Sequence, residues 1–419
     1  MQNQKDINNR NNLRIENQEQ VISLLRQYGS LSIVSMAEKL GLSFPAVSNI
    51  VDELTNNGVL SVSKEKPEKG KKGRKPLSFS LNGQAGVTAA IDLSSNSLVV
   101  ALFDLNDRPI CKESIPHVEF IEKKHFEKIS EIIFSLLKHP EVKDRKLLGI
   151  AIASPGMINA HTGDYAMAYR IKDYAQFNPQ NYFSNLFNVP TRLYNDVRVG
   201  ALAEKLFGSV PQGMRNFIYM HIGSSSGLAL FLNGKLYSGI NGYSGEISVY
   251  NQVDDISKSC RHNKLYSLRR LYAKIAEEKD LDHKELNLDQ LLTWQKEKDP
   301  VAIRCIEESA KYNALAIIGY ADLLDLEGVI LEGPIVALGE EYRSLLLKYI
   351  NLYDAHEVRV RLLFSSLQQN NNLLGAAYLA NSLHFSKVIG EITKKRLSRD
   401  ENTAPSQELE DACSFFKGR

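Results

Sequence analysis

One order of strands and turns occurs twice along this chain of 419 residues. The first three strands, separated by small polar turns, are expected at Gly86–Asp92, Leu98–Phe103 and Pro109–Ser114. The second three are expected at Phe217–Ile222, Leu228–Leu232 and Lys235–Tyr237, with the strong hairpin turn Asn233-Gly234 before the last. Helical patterns follow both sets. An internal duplication of this size predicts two similar α/β lobes that face a cleft, each with one small-residue loop at it.

A different pattern precedes the first lobe. Four apolar residues at i, i+3, i+4 and i+7 predict a helix that ends at Gly29: Val21, Leu24, Leu25 and Tyr28. A second short helix is expected at Ile33–Leu40, and Ser43 is a suitable N-cap for a third helix that ends at Gly58. Two short helices joined by a tight turn are typical of a helix-turn-helix. Residues 1–16 are polar and rich in asparagine, and we predict that they form a flexible arm.

The third helix and the segment after it carry residue types that suit contact with DNA. Small and polar groups lie near the N-terminus of the helix, where they could enter a major groove: Ser43, Pro45, Ser48 and Asn49. The alternating runs 59–62 and 77–81 are expected to be wing strands. Between them, Lys64 to Lys75 holds seven basic and two acidic residues, with expected DNA contacts at Lys71, Lys72, Arg74 and Lys75. The alternative is a three-helix bundle with a solvated face and a solvated charged loop.

Composition limits the remaining classes. The formal net charge of the whole chain is only +2. Because the basic segment Lys64 to Lys75 has five more basic than acidic residues, the chain outside this segment is mildly acidic. No stretch has the length of uncharged apolar sequence that a transmembrane helix needs, and residues 1–16 contain no secretory apolar region. The four cysteines are isolated, which suits reduced thiols in the cytoplasm and gives no zinc cluster. We therefore expect a cytoplasmic protein with no metal and no cofactor.

Together these features resemble the ROK family, whose name joins repressors, open reading frames and sugar kinases. The resemblance covers about Glu19 to Ala380 and rests on the order and spacing of six stretches: 152–156, 194–196, 223–227, 242–247, 330–334 and 374–377. It implies an α/β chain in which an N-terminal winged helix-turn-helix precedes a two-lobed body of actin-like ATPase (ribonuclease-H-like) fold with a sugar site in the cleft. The implied division is 17–82 for the DNA-binding domain, 87–195 with helix 371–394 for lobe 1, 196–370 for lobe 2, and 395–419 for a tail.

Two departures from the family pattern bear on phosphate and zinc. Kinases of the family carry an Asp-x-Gly-Gly-Thr loop, whereas Asp92–Ser97 has no glycine, and a backbone cradle for phosphate needs glycine. The second loop keeps its outer glycines around three serines. We therefore predict degenerate phosphate loops at Asp92, Ser94, Ser95, Gly223, Ser224 and Gly227. The cysteine run of the family's zinc site is reduced to Cys260 with His262 nearby, so that metal is not expected.

The acid–base centre is retained in part. The resemblance matches Asp196 to the aspartate that accepts a proton from the sugar hydroxyl in the kinases. With Asn195 and Glu246, this vestigial Asp196 is expected to hydrogen-bond ligand hydroxyls; the alternative is a helix N-cap. Arg170 stands where the family has an asparagine that reads sugar hydroxyls. One hypothesis is that Arg170 or Lys172 pairs with a carboxylate or phosphate of the ligand, and the alternative is that both are surface charges.

These inferences predict a sugar-responsive, DNA-binding transcriptional regulator that is not an enzyme. We expect it to repress genes of carbohydrate uptake or catabolism. The expected partners are operator DNA, a sugar or sugar-derived effector, and further copies of the chain in a homodimer or a dimer of dimers. The main alternative is an active ROK sugar kinase fused to a DNA-binding domain. A protein-interaction relic that has lost both functions is a third.

Overall fold

The computed structural model describes residues 2–63, 77–95, 97–116, 118–168, 170–246, 267–353, 360–367 and 371–400. The chain forms two compact units. The first comprises Met1–Ser154, His161–Leu193 and Ala376–Arg419, and the second comprises Pro155–Ala160 and Tyr194–Gly375. The longer segment of the second unit starts at Tyr194, whereas we predicted that lobe 2 starts at residue 196, and the second unit also includes residues 155–160. The helix-turn-helix belongs to the same unit as the first lobe.

The N-terminal region is a winged helix-turn-helix. It contains helices α1 (Gln2–Tyr28), α2 (Ile33–Leu40) and α3 (Phe44–Asn56) and strands β1 (Ser30–Ser32), β2 (Leu60–Val62) and β3 (Ser78–Leu81), in sheet order β1-β3-β2. The predicted second helix and both wing strands are confirmed, whereas β1 was not predicted. Local capping explains the helix bounds, because the Ser32 and Ser43 hydroxyls accept hydrogen bonds from the first turns of α2 and α3, and Gly41 ends α2 at φ 66°.

The first helix is longer than its apolar pattern indicated. Residues 2–16, which we predicted as a flexible arm, form the first part of α1. Arg14 pairs with Glu53 of α3, and the Gln18 side chain donates to the same carboxylate at 3.0 Å. Ile15 packs against the core of the domain. These contacts with α3 give a polar sequence the tertiary support that its own pattern did not reveal.

The first unit also contains a five-stranded sheet. The sheet and the elements between its strands are β4 (Val87–Asp92), β5 (Leu98–Phe103), β6 (Pro109–Ile115), α4 (Lys123–Leu136), β7 (Leu147–Ser154), β9 (Tyr165–Met167), α5 (Pro179–Phe187) and β10 (Thr191–Asn195). The short strand β8 (Met157–Ile158) also lies in this part of the chain, but its residues belong to the second unit. The strand order is β10-β7-β4-β5-β6. Strands β4, β5 and β6 form an antiparallel meander, and β7 lies parallel to β4.

The second unit repeats this arrangement. Its elements are α6 (Asp196–Phe207), β11 (Phe217–Ile222), β12 (Ser226–Leu232), β13 (Lys235–Tyr237), α7 (Leu268–Lys279), α8 (Leu288–Lys296), α9 (Pro300–Leu324), β14 (Gly328–Glu332), a 3-10 turn (Pro334–Leu338), α10 (Gly339–Tyr353) and β15 (Arg361–Phe364). The C-terminal helix α11 (Asn371–Asp400) starts in the second unit and belongs to the first unit from Ala376 onward. The order β13-β12-β11-β14-β15 matches that of the first sheet, strand for strand. The predicted internal duplication is therefore confirmed. None of the helices in the described ranges is long and apolar enough to cross a membrane.

The winged helix shares a hydrophobic core with the C-terminal helix. Side chains of α1, α2, α3 and the wing strands pack with four residues of α11 and with Leu105; the four are Phe385, Val388, Ile389 and Ile392. The predicted linker Gly83–Gly86 is closely packed, because a Cβ at Gly86 would lie 2.5 Å from Leu148. Residues 395–400, predicted as the start of a tail, continue α11, and 401–419 lie outside the described residues.

Candidate DNA-contacting face and effector site

The outward face of α3 carries the predicted DNA contacts. Ser43, Pro45 and Asn49 are exposed and Ser48 is half-buried. The opposite face is buried in the core through Val47, Ile50, Val51 and Leu54. The N-terminal turn of such a helix is the part that reaches base edges in a major groove. The predicted wing contacts Lys71, Lys72, Arg74 and Lys75 lie outside the described residues.

The predicted effector residues of the second unit lie together at the start of α6. Asn195 is the N-cap of this helix, and its Oδ1 accepts a hydrogen bond from the Arg198 N–H at 3.1 Å. Its Nδ2 donates to the Gly156 carbonyl at 3.1 Å and, at 3.5 Å, to Oε1 of Glu246. Asn195 thus lies beside the Glu246 carboxylate. Because Asn195 supplies the N-cap, the N-cap alternative for Asp196 does not apply.

Asp196 lies in an electrostatic cluster that the sequence did not reveal. Its carboxylate accepts a hydrogen bond from the Val197 N–H at 2.9 Å. Burial raises the pKa of Asp196, although the nearby His221 lowers it. His221 and Glu332 stand side by side on the parallel strands β11 and β14, and His221 Nδ1 lies 2.6 Å from Glu332 Oε2. Burial lowers the pKa of His221, but the Glu332 and Asp196 carboxylates outweigh it, and the net shift is upward.

Glu246 is held by a tight turn whose glycines are sterically required. Gly245 has φ 92°, and a Cβ on it would lie 2.1 Å from the Leu228 carbonyl oxygen. Arg198 braces the same turn by donating to the Ser238 hydroxyl and to the Gly242 carbonyl. Burial and the Asp196 carboxylate raise the pKa of Glu246 to about 7, against the opposing effect of Arg198. Two carboxyl groups that prefer not to be ionised together therefore share one small site.

In the first predicted phosphate loop, polar groups of residues 92–95 are hydrogen-bonded to other groups of the protein. Asp92 Oδ1 accepts from the Ser94 N–H at 2.9 Å and from the Ser94 hydroxyl at 2.6 Å. The Arg170 guanidinium donates to the Leu93, Ser94 and Ser95 carbonyls and to the carbonyls of Val118 and Glu119. A guanidinium has five N–H donors, and all five are engaged here. Arg170 therefore fastens the loop, and it has no donor left for the anionic ligand that we hypothesised. Lys172 instead pairs with Glu122 at 2.6 Å.

Replacing Arg170 by alanine should lower the free energy of unfolding by at least about 2 kcal/mol, because several charge-assisted hydrogen bonds are lost at once. Chemical denaturation measures this. Isothermal titration of the variant with neutral and acidic sugars supplies the second readout. An affinity loss confined to acidic sugars would show that Arg170 binds ligand after all.

The second loop keeps its glycines for packing reasons. A Cβ at Gly223 would lie 2.7 Å from the His221 ring, and a Cβ at Gly227 would lie 2.8 Å from Val197 Cγ2. The Gly223 N–H donates to the Ser225 carbonyl at 2.9 Å, and Ser224 is exposed. The retained glycines thus have a structural explanation that requires no phosphate.

Of the cysteines that the family's zinc site needs, the sequence keeps only Cys260. Within the ranges that the structure describes, no three His, Cys, Asp or Glu residues form a group that could hold a metal. Cys260 and His262 lie outside those ranges. The second unit contains a set of carboxyl groups with one imidazole, and groups of this kind can accept hydrogen bonds from hydroxyl groups.

Comparison with known proteins identifies the family. The model described as "ROK family" matches residues 88–382, and the model of a winged helix-turn-helix DNA-binding domain matches residues 16–61. The chain belongs to the ROK family. It is 24% identical to a protein named xylose repressor from Caldicellulosiruptor bescii, over 85% of this chain and 93% of that protein.

Solved structures show the same fold. A ROK family transcriptional regulator, described as a homologue of the Escherichia coli MLC protein, superposes with a TM-score of 0.75 at 20% identity and covers 91% of this chain and 99% of that one. A ROK hexokinase from Thermus thermophilus superposes with a TM-score of 0.59 at 21% identity, over 70% of this chain and 97% of that one. The regulator match extends over more of this chain than the kinase match, in keeping with the N-terminal winged helix. The α/β fold with a winged helix and a ROK body is thereby confirmed.

Proposed function

We propose that this protein is a sugar-responsive transcriptional repressor. One observation carries the proposal: a winged helix with exposed residues at the start of α3 and a cluster of carboxyl groups at the start of α6 occur in one chain of the ROK family. The name of the Caldicellulosiruptor bescii relative, xylose repressor, supports a sugar as the effector. We infer that Asp196 and Glu246 accept hydrogen bonds from its hydroxyls. A homodimer is the expected form, because helix-turn-helix proteins read paired half-sites.

We also infer that the protein has no sugar kinase activity. Carbonyls of the Asp92–Ser95 loop are bound to Arg170, and the Glu332 carboxylate stands beside His221 near the second loop. Carbonyls and carboxylates repel phosphate oxygens, whereas a phosphate cradle presents N–H groups. The second candidate, an active kinase with a DNA-binding domain, is favoured by the retention of Asp196. A coupled ADP-release assay over a broad sugar panel separates the two, since turnover that Asp196→Asn abolishes would establish the kinase.

A thermal shift screen tests the effector directly. The panel should contain xylose, hexoses, amino sugars and sugar acids, each with the full-length protein. A ligand that binds only the folded state raises the apparent melting temperature by mass action, increasingly so with concentration. We expect at least one neutral sugar to do so. The absence of any shift across the panel would contradict the proposal.

Effector affinity should depend on pH around neutrality. Because the pKa of Glu246 is raised to about 7, the group is largely a neutral acid at pH 6 and a carboxylate at pH 8. A carboxylate accepts hydroxyl hydrogen bonds more strongly than the acid, so affinity should rise with pH. Although burial contributes to the shift of its pKa, Glu246 is an exposed residue, so we expect a rise of only about two- to five-fold. Isothermal titration with Glu246→Gln should show this dependence flattened; an unchanged profile would assign it to another group.

A further inference from the structure

One large apolar side chain stands on the outward face of α3. Phe44 is the first residue of the helix and is 52% exposed. The other large apolar residues of α3 lie on the opposite face, in the core. Phe44 is not among the side chains of that core cluster. Folding of the described domain therefore does not account for an aromatic ring at this position.

Phe44 lies on the part of α3 that the proposed function assigns to DNA contact. Ser48 lies four residues further along α3, on the same face, and Asn49 follows it. The N-terminal residues of a recognition helix are those that contact base edges. A ring at the first helical position is thus presented to the major groove together with the polar residues already described.

The main chain around Phe44 has few donors to offer to DNA. Pro45 has no N–H, the Ala46 N–H donates to the Ser43 hydroxyl, and the Val47 N–H donates to the Ser43 carbonyl. The first turn of α3 is therefore poorly equipped to bind a phosphate through its backbone. Recognition at this end of the helix falls to side chains, and the largest of these is apolar.

We propose that Phe44 is a specificity-determining residue that reads a pyrimidine C5-methyl group in the operator. A phenyl ring cannot satisfy the donors and acceptors of base edges. The thymine methyl is the apolar group that natural bases present in the major groove, and 5-methylcytosine carries the same group at the same place. The inference rests on the proposed DNA-binding function and adds one base-level contact to it.

The test uses full-length protein and duplexes that it selects from a randomised DNA pool. In the selected site, each thymine is replaced in turn by deoxyuridine, which removes only the methyl group. We expect one thymine per half-site at which this replacement lowers affinity by about three- to ten-fold. Phe44→Ala should lose a similar factor on the thymine duplex and should not distinguish thymine from deoxyuridine there. The thymine–adenine pair at that position is also replaced by a cytosine–guanine pair or by a 5-methylcytosine–guanine pair. The wild-type protein should bind the 5-methylcytosine duplex more tightly than the cytosine duplex.

Two further variants keep the test decisive. Val34 is an apolar residue of α2 with 47% exposure, and Val34→Ala should leave the discrimination at that thymine intact. Phe44→Leu should keep part of it, because leucine retains an apolar contact. If Phe44→Ala still discriminates thymine from deoxyuridine at every position, or if no thymine is sensitive in the wild type, the proposal is overturned. If the protein selects no sequence at all, the proposed function fails instead.

Discussion

Replacing Arg26 by alanine is expected to lower the free energy of unfolding by about 3–5 kcal/mol, the usual cost of breaking a buried ion pair. The Arg26 and Asp107 side chains are only 8% and 7% exposed, and they pair at 3.5 Å. Burial raises the pKa of Asp107, while Arg26 and Asn381 lower it. Without Arg26, a buried carboxylate would lose its cation. Urea denaturation near pH 7.5, followed by circular dichroism, measures the loss.

The same guanidinium joins the winged helix to the C-terminal helix. It lies 3.9 Å from the centroid of the Tyr378 ring and 5.0 Å from that of Phe385. It donates to the Ser382 hydroxyl at 2.9 Å and to the Tyr378 carbonyl at 3.1 Å. We therefore expect Arg26→Ala to reduce hydrogen-exchange protection in α2 and α3 as well, because these helices share a core with α11.

A matched arginine on the same helix provides the control. Arg14 pairs with Glu53, and both side chains are 29% exposed, so Arg14→Ala should cost less than about 1 kcal/mol. Adding Asp107→Asn to Arg26→Ala should recover part of the lost stability, since the uncompensated charge is then removed. Equal costs for the two arginines would show that the Arg26 pair has no special role.

Asparagine in place of Asp196 is expected to weaken effector binding by about 10- to 100-fold, the loss that follows when a charged acceptor is removed. The amide oxygen still accepts from the Val197 N–H, so the start of α6 should be preserved. The α3 face belongs to the first unit, and DNA affinity without effector should therefore stay within about two-fold of wild type. Isothermal titration with the sugar found by thermal shift measures the first effect, and fluorescence anisotropy measures the second.

The control for this variant is a surface carboxylate of the same unit. Asp322 is exposed on α9, and Asp322→Asn should leave both affinities unchanged. An Asp196→Asn protein that binds the sugar as tightly as wild type would remove Asp196 from the site. In that case the effector would have to contact other residues.

The winged helix and the duplicated sheets were predictable because their signals are local. Ser43 and Gly41 mark helix ends through capping and left-handed backbone, and the hairpin turn Asn233-Gly234 marks a strand pair. The α1 prediction was too short because its support is tertiary. Arg14 and Ile15 contact residues far along the chain, and a helix pattern cannot show this.

The site was only partly predictable, for a related reason. His221 and Glu332 become neighbours through the parallel register of β11 and β14, which the sequence does not reveal. His221 lies just before the stretch 223–227 and Glu332 lies within the stretch 330–334, so the sequence had indicated their neighbourhood but not their contact. The sequence left two roles open for Arg170, a contact with an anionic ligand or a surface charge. Neither role included its actual partners, which are main-chain carbonyls 51 to 77 residues away along the chain. Phe44 was not among the predicted DNA contacts, because those were chosen as small or polar residues and a phenyl ring in a helix usually packs in the core.

The most direct test of a sugar-controlled repressor is DNA binding in the presence and absence of effector. Fluorescence anisotropy should be recorded with the full-length protein and its selected duplex while the sugar identified by thermal shift is titrated. We predict that a sugar concentration just sufficient to saturate the wild type weakens its DNA binding by at least about ten-fold, a coupling of ordinary size. The same concentration should have little effect on Asp196→Asn, because this variant binds the sugar about 10- to 100-fold more weakly. If the sugar leaves the DNA affinity of the wild type unchanged while the protein converts ATP and that sugar to products, the protein is a kinase and the account is wrong.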